Sequence, residues 1–127
     1  MIVLDTHAWV WWTGGLELLS TAARAAIEAA DSVAVATISC WEVGRLATRG
    51  RMRLDRDVES WVAQALESVQ GVPLTAEIAL AAALLVEDGF PRDPADRIIY
   101  ATAQELRCPL VTRDRRLRTF NPAGTIW

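Results

Sequence analysis

A chain of 127 residues that is 52% hydrophobic and 23% charged can bury a real core and is too apolar to stay disordered, so one domain spanning 1–127 is expected. No apolar run reaches the roughly 20 residues that cross a bilayer, and no basic leader precedes Asp5, so neither a membrane span nor a secretory signal is expected. The net charge of −3 does not by itself suggest a nucleic-acid partner, and all 13 basic residues are arginine, which excludes chemistry that requires a lysine, the phosphate-binding P-loop included.

MIVLD, residues 1–5, is a short apolar run ending in an acid, the pattern of a buried strand. AWVWWTGG (8–15) follows as a short helix or loop, and STAARAAIEAA opens a helix on Ser20 as N-cap. Asp31 to Thr37, DSVAVAT, reads as a second strand. SCWEVGRLATRG reads as a helix closed by Gly50. DVESWVAQALESVQG places Val58, Trp61, Val62, Ala65, Leu66 and Val69 at helical spacing. GVPLT, Gly71 to Thr75, is a weaker third strand, followed by a helical AEIALAAALLVEDG (76–89). PADRIIYATAQELR is helical through Ile98, Ile99, Ala101, Ala103 and Leu106. Cys108 to Thr112, CPLVT, is a clear fourth strand, and GTIW adds a short edge strand. Apolar strands alternating with helices predict a three-layer α/β domain around a central, mainly parallel sheet of four to five strands. Most of the six tryptophans are expected in the core or at interfaces. Cys40 and Cys108 lie far apart, outside any CxxC, which suits reduced thiols in a cytoplasmic protein.

On this reading Asp5 ends the first strand, Glu42 lies in the first turn of the helix after the second, and Asp114 follows the fourth. Asp93 and Asp96 open the helix that leads back to the fourth strand. Parallel strands end on one edge, where ligands of open α/β sheets bind. Each acid also has a purely structural reading: Ser39 and Glu42 fit an S-x-x-E capping box, Asp93 an N-cap with Pro94 and Asp96 behind it, and Asp114 a turn. Convergence favours a site. Crowded carboxylates take up protons unless a cation compensates them. Oxygen donors alone suit Mg²⁺ or Mn²⁺, whereas zinc is disfavoured because His7 is the only histidine. Such a site suits metal-assisted attack of water on a phosphodiester. Helix N-termini at Glu42 and Asp96 favour phosphate, as do the arginines of 45–56 and 113–118, although those arginines equally fit ordinary solvated surface. A phosphoacceptor signalling module, and a binding module whose carboxylates only cap helices, stay open at this level.

MIVLDTHAWVWW, TISCWEVGRLATRGR, RDPADRIIYATAQELRCPLVTRDRRLR and the terminal tryptophan together resemble a PIN domain of the VapC toxin type, in order over nearly the full chain. The resemblance implies a PIN-like α/β/α fold and a Mg²⁺-dependent endoribonuclease, the toxin of a toxin–antitoxin pair, usually dimeric and held inactive by its antitoxin. Carried over by position, it implies Asp5, Glu42, Asp96 and Asp114 as the catalytic, metal-holding acids, with Asp5 and Asp96 the principal ligands. Asp96 is preferred to Asp93 because the family's helix-borne acid directly precedes the apolar run; Asp93 is then an N-cap at the margin of the ligand set. Thr6, Ser39 and Thr112 are expected to hydrogen-bond carboxylates or waters, and His7 to be structural. An RNA-processing PIN nuclease that is not a toxin is the alternative within the family, usually on longer chains.

Overall fold

The apolar, β-branched runs pair as parallel strands because the helices between them return the chain to the same edge each time. The computed structural model describes residues 1–85 and 90–127. Its strands are β1 (Ile2–Leu4), β2 (Val33–Ala36), β3 (Gln70–Val72), β4 (Leu110–Val111) and β5 (Thr125–Ile126). They form one sheet in the order β3-β2-β1-β4-β5, all pairs parallel, with Val3 opposite both Ala34 and Leu110.

The two-residue period of β1 divides the core. Ile2 and Leu4 face a cluster with Trp9, Ile27, Val43 and Trp61, while Val3 faces Ile99, Tyr100 and Leu117. Those residues belong to α1 (Thr6–Gly14), α2 (Thr21–Ala29), α3 (Ile38–Thr48) and α4 (Val58–Leu66) on one side, and to α6 (Pro94–Glu105) and α7 (Arg115–Phe120) on the other. α5 (Ala76–Ala83) packs Ile78 and Ala82 onto Ala101 of α6. The result is the three-layer α/β/α arrangement expected. Trp9 is fully buried and meets Trp61 edge-on, ring centroids 5.2 Å apart; truncating it to alanine should cost about 3–5 kcal/mol.

Several boundaries differ from the sequence reading. The stretch after β1 is a full helix starting at Thr6, because the Asp5 carboxylate accepts the Ala8 N–H at 2.8 Å and caps it. α3 begins at Ile38, after Thr37, so Ser39 is not an N-cap and the capping box does not form. Glu42 therefore lies in the second turn of α3 instead of the first. Gly50, with φ +68°, follows that helix in the left-handed conformation glycine adopts at no steric cost. α4 stops at Leu66, and β3 starts at Gln70 and ends before Pro73. Residues 86–89, the end of the expected helix 76–89, lie outside the described residues. Asp114 starts not a simple turn but α7, accepting the Arg116 N–H at 2.8 Å. Among the described residues no helix is long and apolar enough to cross a membrane, and both cysteines are free.

Candidate metal centre

The order of the sheet decides which acids meet. β1 is central, with β2 and β4 as its neighbours, so the segments leaving the carboxyl ends of three adjacent strands share one edge. Asp5 leaves β1, α3 carries Glu42 beyond β2, and Asp114 follows β4. α6 returns toward the start of β4, which puts its N-terminus and Asp96 at the same edge. Asp5, Glu42, Asp96 and Asp114 line one cavity of about 290 Å³, together with His7 and Arg113.

Local bonds hold the segments that carry the acids. Asp5 donates its N–H to Val111 O at 3.0 Å. The fully buried Thr112 hydroxyl accepts the Asp114 N–H at 3.1 Å. The Thr6 hydroxyl donates to Ser39 Oγ at 3.0 Å, tying α1 to α3. Thr6 and Ser39 therefore bond each other rather than a carboxylate, and act on the site by fixing the helices that carry Asp5 and Glu42. Asp93 caps α6 by accepting the Ala95 N–H at 2.8 Å and the Asp96 N–H at 3.4 Å. It also comes closer to the cluster than its capping role requires: carboxylate oxygens of Glu42, Asp93 and Asp96 lie within 4.8 Å of one another.

The electrostatics are those of a site short of positive charge. Burial pushes the Asp96 carboxyl up to about 7, and Glu42, Asp93, Asp114 and Asp5 each push the same way. Burial also raises the Asp5 carboxyl, opposed by the Thr112 hydroxyl, the Ala8 N–H and His7, and helped by Glu42. Like charges about 4 Å apart repel by about 4 kcal/mol at an effective dielectric of about 20. The cations nearby are weak compensation: Arg45 reaches Asp93 at 3.8 Å and Arg116 reaches Asp114 at 3.5 Å, both partly in water, where such pairs contribute about 0–1 kcal/mol. Arg113 lines the cavity but forms no ion pair among the described residues; its guanidinium lies 4.8 Å above the Trp11 ring. An all-oxygen, net-negative, half-buried donor set fits a hard divalent cation.

Two cavity residues were not singled out as functional from the sequence. His7 is exposed at the cavity, 5.5 Å from Trp11 ring to ring, and not packed in the core. Arg113 was read only as one of a basic run. Their positions beside Asp5 and Asp114 in the chain were the available signal.

The PIN domain family model matches residues 2–121, and the chain belongs to the PIN-domain family. Within it, the sequence is 48% identical over 128 residues to Ribonuclease VapC22 of Mycobacterium tuberculosis (strain ATCC 25618 / H37Rv), covering 99% of this chain and 98% of that protein. Its fold is similar to one chain of a toxin–antitoxin complex from Klebsiella pneumoniae, with TM-score 0.70 and 22% identity over 100% of this chain and 97% of the other. It is also similar to a chain of VapBC2 from Rickettsia felis bound to a promoter DNA fragment, with TM-score 0.69 and 15% identity over 98% and 97%. At those identities the structural likeness is one of fold. PIN nucleases are metal-dependent, and the Glu42, Asp93 and Asp96 carboxylates here are close enough together to hold a metal ion.

Proposed function

We propose that this protein is a metal-dependent endoribonuclease, the toxin of a toxin–antitoxin pair, acting in the cytoplasm on RNA phosphodiesters. The observation that carries the reading is the shared cavity of Asp5, Glu42, Asp96 and Asp114, four acids from remote parts of the chain. The kinship with a protein named a ribonuclease supplies the substrate class. Asp5 and Asp96 would be the principal ligands, with Glu42 and Asp114 completing the set directly or through water. Mg²⁺ is the expected ion and Mn²⁺ a substitute, since both accept an oxygen-only shell.

When bound, the ion supplies charge to offset the phosphate and promotes ionisation of the attacking water. The chain's own residues do the rest. Thr112 anchors Asp114 by accepting its N–H, and Asp93, as N-cap of α6, fixes the first turn that carries Asp96. No lysine exists to serve as nucleophile, and the one histidine cannot build a triad alone. With a divalent ion to activate it, water is the expected nucleophile, and the products should carry 5′-phosphate and 3′-hydroxyl ends. The test is cleavage of a structured RNA by purified protein. Activity should require Mg²⁺ or Mn²⁺, vanish with chelator, and fall to background in Asp5→Asn and Asp96→Asn with the fold retained. Cleavage indifferent to chelator, or ending in 2′,3′-cyclic phosphates, would end the proposal.

The antitoxin partner is supported by fold neighbours solved as toxin–antitoxin complexes. A homodimer is supported by Leu80 and Leu84, one turn apart on and just after α5 and 61% and 67% exposed, an apolar surface that a second copy would cover.

A further inference from the structure

A second, larger cavity of about 1070 Å³ adjoins the acidic one, and His7 and Arg113 line both. Its walls include Trp11 and Trp12, and its rim carries Arg51, Arg53 and Arg56. Arg56 is occupied by Asp55, held at 2.9 and 3.0 Å, whereas Arg51, Arg53 and Arg113 form no ion pair among the described residues. Arg113 is the informative one. It follows Thr112 and precedes Asp114 within an acidic pocket, yet its guanidinium lies over the Trp11 indole, 4.8 Å from the ring centroid, and pairs with no carboxylate among the described residues. That leaves the acids free for a cation and presents a planar, positive ledge at the junction of the two cavities. Trp11 is itself braced by Trp127, ring centroids 5.8 Å apart, and by His7.

We propose that Arg113, backed by Trp11, is the base subsite of the enzyme: it stacks a purine next to the scissile phosphate and so sets the nucleotide at which RNA is cut. The inference rests on the ribonuclease reading. A guanidinium plane between an indole and a base combines stacking with cation–π attraction, and a two-ring purine covers more of that ledge than a pyrimidine does. The base must be unpaired to lie there, because a base stacked in a duplex offers no free face. Arg51 and Arg53 then receive backbone phosphates leaving the site along the larger cavity, a contact that reads no sequence.

The test maps every cut that purified protein makes with Mg²⁺ in a pool of short random-sequence RNAs, and compares wild type with Arg113→Lys, Trp11→Phe and Trp11→Leu. Wild type should favour purine over pyrimidine at one position beside the cut by at least about fivefold. Arg113→Lys keeps the charge but loses the plane, and should bring that ratio near one; Trp11→Leu should do the same and Trp11→Phe should retain part of it. The ratio is internal to each protein, so lower total activity or a partly unfolded variant does not mimic the result. A uniform loss of rate with the base ratio unchanged in Arg113→Lys and Trp11→Leu overturns the subsite; the cavity is then a seat for a protein partner or plain surface. Equal cutting at all four bases by wild type overturns it as well, while leaving the ribonuclease reading intact. No cleavage by wild type takes down both.

Discussion

Asp96 is where the pocket's electrostatic cost concentrates. Burial and four neighbouring carboxylates push its carboxyl up to about 7, against about 3.9 in an unfolded chain. The folded, metal-free protein therefore holds a proton across that interval that the unfolded chain has released. The contribution of Asp96 to stability is fullest below about pH 4 and is lost as pH rises through 7. Asp5, raised mainly by burial, adds in the same direction. After allowance for the solvent-facing side of Asp96, the loss should be about 1–2 kcal/mol. In chelator, Asp96→Asn should consequently melt higher than wild type at pH 8 and at the same temperature near pH 4. Mg²⁺ at pH 8 should raise the wild-type melting temperature and have a much smaller effect on the variant. Melting curves without this crossover would mean that the acids are not crowded. Thr112 gives a second residue-scale prediction: its buried hydroxyl accepts the Asp114 N–H and holds the Asp5 carboxyl down against burial, so Thr112→Val should cost about 1–2 kcal/mol and reduce cleavage without abolishing it.

At the scale of elements, the start of α6 was legible and the start of α3 was not, for a local reason. D-P-A-D packs cap, N1 proline and acidic first turn into consecutive residues, so the start of α6 follows from sequence alone. S-C-W-E offers an equally good local pattern, but Thr37 and Ile38 already turn helical out of β2, and Ser39 is claimed by Thr6 from another helix. A tertiary contact over 33 residues is invisible to a capping rule. α7 was missed because six residues carry too little periodicity to register. Asp93 remains the residue with two competing roles. Asn caps as well as Asp, so Asp93→Asn should keep both stability and cleavage, while Asp93→Ala should lose about 1 kcal/mol. An Asp93→Asn variant as inactive as Asp96→Asn would instead make Asp93 a ligand, consistent with its closeness to Glu42 and Asp96. For α5, Leu80→Glu with Leu84→Glu should convert a dimer to a monomer in light scattering, with cleavage chemistry unchanged at each cut; a species of unchanged mass would remove that face from the interface.

Across the whole molecule, the strand order makes the site. With β1 between β2 and β4, neighbouring strand ends deliver Asp5, Glu42 and Asp114 together, and the antiparallel return of α6 adds Asp96. The sequence pattern implied the parallel sheet and the common edge, but the lateral order of strands is not written in any local run, and neither is the placement of Arg113 over Trp11. The charge left uncompensated at that edge leads to the central claim, that the four acids hold a divalent ion. Anomalous diffraction from crystals grown with Mn²⁺ tests it most directly. A single or paired peak coordinated by Asp5 and Asp96, with Glu42 and Asp114 bonded to it or to its waters, is the expected map. Full Mn²⁺ occupancy elsewhere with those four carboxylates left bare would contradict it.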